Sequence, residues 1–283
     1  MLRMSVLNSV LLACNCGLSV SRYASVRRLG YDARALSPQL FMQLPVSAVQ
    51  EESHNVKYFK VQLPSPDHET GLTTSSFVMV KGSEGVARPY TPVSLNSQKG
   101  YFELIVKRYP EGRVSSYLHS LRVGDFIEVK GPFPKLEYRP NMKRKIAMVA
   151  GGSGITPMLQ IIREIVSNKH DKTEVDLLYA NRETCDILLQ ETLESIQSKH
   201  PNIRVNYVLS HPPSGWTGYA GHINAGMISE ALPPPGDDVL VYVCGPPGMM
   251  HAVSGDKQPD KSQGPLSGAL KALGYRENMV YKF

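Results

Sequence analysis

Short strand-like segments separated by turns make up the part of the chain between Leu40 and Tyr138. The segments with strand-like composition are Val56–Leu63, Ser76–Val80, Tyr101–Lys107 and Phe126–Lys130. Pro, Gly, Asn and Ser fill the gaps, and Arg113–Leu121 is typical of a short helix. Strands at this spacing predict a small antiparallel barrel.

The pattern changes after the polar, basic connector Arg139–Lys145, because strands and helices then alternate. The predicted strands are Ile146–Ala150, Val175–Ala180, Ile203–Leu209 and Val239–Val243. The predicted helices are Pro157–Asn168, Asp186–Lys199, His222–Leu232 and Pro265–Leu273. This alternation predicts a parallel sheet with helices on both faces, an α/β doubly wound domain. We therefore expect a two-domain chain, with the barrel at residues 35–140 and the α/β domain at residues 141–283.

The amino-terminal region differs from the rest of the chain. Met1–Tyr31 contains arginines and serines, and no acidic residue precedes Asp32. This composition predicts that residues 1–34 are a mitochondrial targeting segment. A secretory signal is one alternative, but arginines that follow the apolar run argue against it. A membrane-anchoring tail at the cytoplasmic face is another, although the run Val6–Val20 is interrupted and shorter than the roughly 20 apolar residues of a spanning helix.

Composition narrows the classes of function. With 283 residues, 42% of them hydrophobic, the chain is long enough for two packed domains. The net charge of +6 can favour acidic partners, but the basic residues are scattered and show no zinc-finger or helix-turn-helix spacing, so nucleic acid is not an expected partner. The cysteines are too few for a disulfide scaffold and form no metal-ligand set: Cys14, Cys16, Cys185 and Cys244.

Two glycine-bearing turns follow predicted strands of the α/β half. Gly151–Pro157 opens a helix, whose free N–H groups and positive dipole end suit a pyrophosphate. Pro157 suits the first helical turn, and Thr156 can cap it. The second turn, Cys244–Met250, stands at the carboxyl end of the last predicted strand, where open parallel sheets bind ligands. Together the turns predict a dinucleotide crevice; alone, each is equally typical of a tight structural turn.

The barrel half contains the stiff run Arg88–Ser94, which brings together a cation, an aromatic ring and hydroxyl groups. Arg88 can form a bidentate hydrogen bond with a phosphate, Tyr90 can pack against a flat ring, and Thr91 can contact the edge of that ring. The alternative is a strand end with a surface arginine and a half-buried tyrosine. Gly112–Ser115 is a weaker candidate for a second pyrophosphate cradle, since such a run is usually only a helix start.

The order and spacing of these motifs resemble the ferredoxin-NADP reductase superfamily and, within it, the NADH–cytochrome b5 reductases of mitochondrial type. The matching segments are Arg88–Ser94, Gly151–Met158, Cys244–Met250 and the carboxyl-terminal Met279–Phe283. The resemblance covers roughly Leu40 to Phe283. It implies an antiparallel FAD-binding barrel followed by a nucleotide-binding domain, hydride transfer from NADH to FAD, and release of single electrons to a haem protein such as cytochrome b5.

The resemblance also implies roles for individual residues. Those implied to bind FAD are Arg88, Pro89, Tyr90, Thr91, Ile105, Lys107, Gly112, Arg113, Val114, Ser115 and Thr156. Those implied to bind the nicotinamide nucleotide are Gly152, Ser153, Gly154, Ser210, Cys244, Gly245, Pro246 and Met249. The implied catalytic residues are Thr91 near flavin N5, His54 as the support of that threonine, and Cys244 beside the nicotinamide. For His54 alone, a structural role is the default.

Ser210 departs from the family pattern. Many relatives have an aspartate at this position, which binds the ribose hydroxyls of NADH and repels the 2′-phosphate of NADPH. Ser210 and its neighbour His211 remove that repulsion. We therefore expect NADH to be used and NADPH to be tolerated unusually well.

An acidic haem protein is the expected partner, and the basic run Lys143–Lys145 is its expected docking site, with Arg113 and Lys135 nearby. A solvated linker is the alternative for that run. Two other functions stay open at this point. One is a reductase for a different acceptor, such as a quinone, a ferric chelate or another haem protein. The other is a non-catalytic flavin-binding redox sensor or assembly factor.

Overall fold

The structure is a computed structural model that describes residues 33–283. The predicted targeting segment, together with Cys14 and Cys16, lies outside the described residues except for its last two positions. Ala33 is joined to the rest of the described chain by backbone hydrogen bonds, because its carbonyl oxygen accepts from Glu69 N at 2.8 Å, and Ala35 N donates to Glu69 O at 2.7 Å. Hydrogen bonding to the barrel half thus includes Ala33, within the predicted segment 1–34, and Ala35 directly after that segment.

The first half of the described chain is an antiparallel six-stranded sheet with one helix. Its elements are β1 (Met42–Ser53), β2 (Val56–Gln62), β3 (Ser76–Lys81), β4 (Ala87–Tyr90), β5 (Tyr101–Lys107), α1 (Arg113–Ser120) and β6 (Phe126–Pro134). The strand order is β4-β3-β6-β1-β2-β5. The two edges approach each other, because Val93 N donates to Glu103 O at 2.9 Å and Glu103 N donates to the Ser94 hydroxyl at 3.1 Å. These bonds curl the sheet into the predicted barrel.

The second half is a parallel six-stranded sheet covered by helices. Its elements are β7 (Lys145–Gly151), α2 (Ile155–Ser167), β8 (Glu174–Asn181), α3 (Gln190–Lys199), β9 (Ile203–Leu209), β10 (Tyr219–Ala220), α4 (Ala225–Ala231), β11 (Val239–Cys244), α5 (Pro247–Ser254), α6 (Gly268–Ala272) and β12 (Val280–Lys282). The strand order β10-β9-β8-β7-β11-β12 is that of a doubly wound sheet, as the alternating pattern predicts.

Alternate residues of β7 enter two different cores. Ile146 and Met148 pack with α2 on one face, while Ala147 and Val149 pack with α4, α5 and α6 on the other. This two-sided burial explains why the strand is continuously apolar. The first of these cores also contains Val56, Val93 and Ile105 of the barrel half, so an apolar seam joins the halves.

Several elements differ from the prediction. The longest strand, β1, was not predicted, because its pairing with β2 and β6 and not its mixed sequence makes it a strand. Helix α5 was not predicted either, since its first residues are rich in Pro and Gly. The helix predicted from Asp186 begins at Gln190 instead, because Thr184–Asp186 forms a separate 3-10 turn and Leu189 has a left-handed φ of 59°.

Candidate active site

The two glycine-bearing turns lie side by side at the carboxyl edge of the parallel sheet. β7 pairs with β8 on one side and with β11 on the other, so the strand order reverses direction between β7 and β11. Cys244 is the register partner of Ala150, so the turns that follow these two strands are neighbours. Such a switch point is where open parallel sheets bind ligands. The crevice predicted from the two motifs is therefore formed by adjacent strands.

The glycines of these turns are required by their close approach to each other. A Cβ on Gly154 would collide with the carbonyl oxygen of Cys244. A Cβ on Gly151 would come within 2.8 Å of both Met249 Sδ and Pro246 Cδ. Gly152 is different, because its φ is 53° and a Cβ there would meet nothing within 4 Å. Packing thus fixes Gly151 and Gly154, while Gly152 presents backbone to open space.

The amino terminus of α2 is suited to bind an anion, although Thr156 does not cap this helix as predicted. Gly154 is the N-cap residue, with no side-chain cap and no acidic residue in the first turn. Thr156 is the second helical residue, and its buried hydroxyl donates to Ser153 O at 3.2 Å. The prediction that Thr156 caps the helix is therefore wrong, because the helix begins at Ile155, two residues earlier than that role requires. The N–H of Ile155 donates to the carbonyl oxygens of Gly152 and Ser153 in the preceding 3-10 turn, so what this helix start offers a phosphate is chiefly its positive dipole end, with no acidic side chain to oppose it.

Cys244 ends β11 with a half-buried side chain. Burial raises the pKa of its thiol to about 12, although the positive charge of Lys257 acts in the opposite direction. The thiol is thus protonated at neutral pH and is not a thiolate nucleophile. It serves this site as a small, polarisable contact surface.

On the barrel side, Arg88 and Tyr90 lie on edge strand β4. The Arg88 guanidinium is exposed and donates only to Ala87 O, at 3.0 Å, within residues 33–283. Tyr90 packs against the barrel core, and burial raises the pKa of its phenol to about 12, with the charge of Arg88 opposing this shift. Thr91 follows directly. The motif therefore presents a cation with unused donors beside a fixed aromatic ring.

The start of α1 is a second uncapped helix terminus. Gly112 is its N-cap residue, and no acidic residue lies in the first turn. The Ser115 hydroxyl donates to Gly112 O at 3.0 Å, and a Cβ on Gly112 would collide with this hydroxyl. Within the described chain, the backbone N–H groups of Arg113, Val114 and Ser115 have no acceptor. The Arg113 guanidinium is engaged elsewhere, by Glu84 at 2.9 Å, so the backbone supplies the cradle.

Direct contacts connect the barrel motifs to the glycine turns. The hydroxyls of Tyr109 and Ser153 are 2.8 Å apart, and Lys107 Nζ lies 2.8 Å from Asp186 Oδ1. Burial acts to raise the pKa of Asp186, but the hydrogen bond and charge of Lys107 outweigh it and leave that pKa below its usual value. Sequence reasoning placed Lys107 near the nucleotide but missed Tyr109 and Asp186. The only signal for Asp186 was its position three residues after Glu183, with which it forms a reciprocal capping box.

His54 lies in the turn between β1 and β2 and is exposed. Within residues 33–283 no hydrogen bond joins it to Thr91. It lines a small basic pocket with Lys57, Arg108 and His119. Its role as a support of Thr91 stays a prediction.

Ser210 lies at the nucleotide edge, after β9. Its backbone N donates to Asn181 O at 3.1 Å, and its hydroxyl is 3.1 Å from His211 Nδ1. The backbone N of His211 donates to Arg182 O at 2.8 Å, which places the exposed Arg182 beside the pair. Arg182 was missed by the sequence reasoning, because it is brought here by strand pairing and not by a motif.

The basic run Lys143–Lys145 lies at the opposite edge of the sheet. It precedes β7, whereas the glycine turn follows that strand, about 20 Å further on at the rise of a parallel strand. Its charges are also paired: Arg144 Nε lies 3.5 Å from Asp238, and Lys145 Nζ lies 3.3 Å from Glu174. The run therefore lies away from the crevice, at the other end of β7, and its role as the docking site of an acidic haem protein stays a prediction.

Other lysines lie beside Cys244. Lys257 is half-buried, and its charge interacts with Cys244 and with Lys135 and Lys261. Lys135 follows β6 of the barrel, and its ammonium lies 5.1 Å from the centre of the Phe77 ring. Basic side chains from both halves thus flank the carboxyl end of β11.

The carboxyl terminus closes the same edge. The Phe283 ring packs on Tyr242 at 5.5 Å and edge-on to Tyr281 at 5.3 Å. The buried ammonium of Lys282 donates to the carbonyl oxygens of Asp256, Gly264 and Pro265 at 2.9–3.4 Å. These bonds fix the terminal strand β12 and the segment after α5 against each other.

Comparison with known families agrees with this arrangement. The family model described as an oxidoreductase FAD-binding domain matches residues 43–138, and the one described as an oxidoreductase NAD-binding domain matches residues 148–255. The cytochrome b5 reductase domain of Ulva prolifera nitrate reductase has a TM-score of 0.79 and is 31% identical, and the match covers 88% of this chain and all of that domain. The FAD/NAD-binding domain of a nitric oxide dioxygenase from Vibrio cholerae, 20% identical, shares the fold with a TM-score of 0.68 over 86% of this chain.

Relatives of known family are similar over most of the chain. An NADH-cytochrome b5 reductase-like protein of Arabidopsis thaliana is 46% identical over 88% of this chain and 78% of its own length. NADH-cytochrome b5 reductase 2 of Emericella nidulans is 41% identical over 94% of this chain and 87% of its own length. The two family matches and these relatives show that the chain belongs to the NADH–cytochrome b5 reductase family, within the ferredoxin-NADP reductase superfamily of flavin-dependent oxidoreductases.

Proposed function

We propose that this protein oxidises NADH with FAD as its prosthetic group and delivers single electrons to a haem protein of the cytochrome b5 type. The observation that best supports this proposal is a direct contact between the two halves. The hydroxyl of Tyr109, before α1 on the FAD side, lies 2.8 Å from the hydroxyl of Ser153 in the nucleotide turn. A donor and a flavin held on these two turns would lie next to each other. The printed names of the relatives support NADH and cytochrome b5 as donor and acceptor.

The residues around the barrel edge fit FAD. Arg88 offers unused guanidinium donors, the uncapped start of α1 offers three backbone N–H groups, and Tyr90 offers a fixed ring. Two separate phosphate-type sites suit the pyrophosphate of a dinucleotide better than a single phosphate. Bound FAD supplies the chemistry that connects a two-electron donor to a one-electron acceptor.

The remaining residues orient the nucleotide and protect the reaction. The start of α2 and the open backbone at Gly152 would hold the pyrophosphate of NADH. The protonated thiol of Cys244 and the apolar seam would keep water away from the reacting atoms. Lys107 is held over the crevice by Asp186, which fixes its ammonium for the incoming nucleotide.

The positive charges near Cys244 indicate where the electron-accepting haem protein would dock. Lys135, Lys257 and Lys261 form a basic patch at the carboxyl end of β11, and an acidic haem protein would meet it next to the flavin edge. The basic patch replaces the run Lys143–Lys145 as the proposed docking site.

Anaerobic stopped-flow reduction of the purified holoprotein tests the function. We expect NADH to bleach the flavin absorbance and cytochrome b5 to restore it, and ferricyanide to be reduced in steady state. Reduction of ferricyanide without any transfer to cytochrome b5 would favour a quinone or ferric-chelate acceptor instead. A protein that binds FAD but is not reduced by NADH would be a non-catalytic flavin protein.

The location of the protein in the cell is a separate proposal. The acid-free, arginine-containing Met1–Tyr31 supports import into mitochondria, and anchoring at the cytoplasmic face of a membrane is the alternative. Among residues 33–283, no helix has the length and apolar character needed to cross a bilayer. Fusion of residues 1–34 to a fluorescent reporter distinguishes the two, because import removes the segment whereas anchoring retains it.

A further inference from the structure

A polar groove lies on the seam between the two halves, away from the glycine turns. Its volume is about 660 Å³, within the range of about 300–1,000 Å³ that is usual for small-molecule sites. The residues that line it are Ser94, Leu95, Gln98, Glu103, Arg163, Val166, Ser167, Glu191, Thr192, Ser195 and Ile196. Arg163 lies eight residues beyond the start of α2, about 12 Å along the helix axis from the nucleotide turn.

Arg163 is the anomaly in this groove. Its side chain is half-buried, and burial lowers the pKa of its guanidinium, an effect that the charge of Glu103 only partly opposes. Yet within residues 33–283 it makes no hydrogen bond, ion pair or ring contact. A partly desolvated charge without a partner costs free energy, so such groups normally have an acceptor.

The acids around Arg163 do not supply that acceptor. The carboxylate of Glu103 accepts a hydrogen bond from the hydroxyl of Tyr58 at 2.8 Å, and within the described residues it makes no ion pair with Arg163. Glu191 is exposed at the rim, on α3. The guanidinium thus borders an open volume whose remaining walls are hydroxyl groups, the amide of Gln98 and the apolar side chains of Leu95, Val166 and Ile196.

We infer that this groove is a second ligand site, which takes a small organic anion. A carboxylate or phosphate group would pair with Arg163, which is the one cation among the lining residues. An apolar body would pack on Leu95, Val166 and Ile196. Because Leu95 belongs to the barrel half and the other two to α2 and α3, the ligand bridges both halves without entering the nucleotide crevice.

Binding of simple probes to the full-length holoprotein tests this inference. Benzoate and phenyl phosphate carry the proposed anionic group on an apolar ring, whereas benzyl alcohol and benzylamine carry the same ring without it. We expect saturation-transfer NMR and calorimetry to detect the two anions and not the neutral or cationic probe. Binding should persist with saturating NAD⁺, because the nucleotide turn is elsewhere. Loss of anion binding on adding NAD⁺, or equal binding of benzyl alcohol, would overturn the inference.

Two variants locate the probe. Arg163→Met should weaken benzoate binding at least about tenfold, as expected for loss of a charge-assisted hydrogen bond. Lys199→Gln, which removes an exposed charge at the end of α3 outside the groove, should leave it unchanged. Without ligand, Arg163→Met should unfold at the same temperature as the wild type or a higher one, since an unpaired charge is replaced by an apolar chain. Undiminished benzoate binding, or a large fall in the unfolding temperature, would contradict the assignment.

Discussion

We expect single side chains at the nucleotide edge to set the coenzyme preference of this protein. The family resemblance implies an aspartate in many relatives at the position of Ser210, and in the structure His211 and the backbone of Arg182 lie beside this serine. A hydroxyl can bond either a ribose hydroxyl or a phosphate oxygen, and a guanidinium within reach would favour the phosphate. We therefore expect discrimination against NADPH to be weak, because no aspartate stands at position 210 and an arginine lies close by in the fold.

We predict that Ser210→Asp restores selectivity for NADH mainly by raising the KM for NADPH. A carboxylate close to a 2′-phosphate in a partly dry cleft costs a few kcal/mol, or roughly ten- to several-hundred-fold in KM. Steady-state kinetics with both coenzymes measure this. Ser214→Asp is the control for a general charge effect, and equal rejection of NADPH by the wild type and Ser210→Asp would refute the prediction.

Arg88 is the residue on which we expect FAD retention to depend most. Its exposed guanidinium has donors to spare, and a charge-assisted hydrogen bond to a phosphate contributes about 1.5–3 kcal/mol. Arg88→Ala should therefore weaken FAD binding by about that amount, measured by flavin fluorescence during dialysis. Arg122→Ala, also exposed but in the turn before β6, should behave like the wild type. Comparable FAD loss from both variants would show that the pyrophosphate is held elsewhere.

At the scale of elements, the two glycine turns support each other. Each turn follows one of two adjacent parallel strands, and their backbones are too close for a side chain on Gly154. The nucleotide crevice is thus a property of the strand pair β7–β11 and not of either turn alone.

Gly154→Ala should destabilise the fold, because the added Cβ meets the carbonyl of Cys244 and can be accommodated only if the turns separate. Overpacking of this kind costs about 1–3 kcal/mol in the free energy of unfolding, and NADH binding should weaken with it. Gly248→Ala is the matched control, since a Cβ there meets nothing and alanine favours the helix α5. Urea denaturation monitored by circular dichroism compares them, and equal midpoints would mean that the turns are not in tight contact.

At the scale of the whole molecule, two basic surfaces at opposite edges of the parallel sheet are candidates for the docking site of the electron acceptor. In the run Lys143–Lys145, Arg144 and Lys145 are paired with acids at the amino edge of the sheet. Lys135 and Lys261 instead lie near Lys257, whose charge interacts with Cys244 at the carboxyl end of β11. We expect Lys135→Gln combined with Lys261→Gln to slow electron transfer to cytochrome b5 severalfold and to flatten its dependence on salt. Lys143→Gln combined with Arg144→Gln should have little effect. Stopped-flow oxidation of the reduced flavin over a range of ionic strength measures both, and the reverse ranking would return the docking site to the connector.

Deletion of residues 1–32 should leave folding and flavin reduction intact, because their acid-free, arginine-containing composition is that of a removable targeting segment. Deletion through Leu36 should be destabilising, since it removes the hydrogen bonds with Glu69 and a buried leucine. Thermal unfolding of the two truncated proteins distinguishes these outcomes. Equal loss of stability in both would mean that the first 32 residues contribute to the fold.

The sequence by itself determined the elements whose signal is local. Continuous apolar runs gave β7 and β11, helical spacing gave α2, and punctuation by Pro and Gly marked the barrel turns. It also carried the family motifs, because a glycine turn after a strand is a local requirement of the backbone. These features were enough to predict the fold class and, through the family resemblance that they carry, the cofactors; the roles of the individual site residues stay predictions.

Only the tertiary structure decided which residues meet. Strand β1 exists because of its neighbours, Asp186 reaches Lys107 across the seam, and Arg182 meets His211 where the paired strands β8 and β9 end. The distance of the connector lysines from the crevice was hidden for the same reason, since a sequence does not show which edge of a sheet faces the ligand. The sequence also does not reveal that Arg163 is half-buried without a partner among the described residues, because burial and pairing depend on residues that are far apart in the chain.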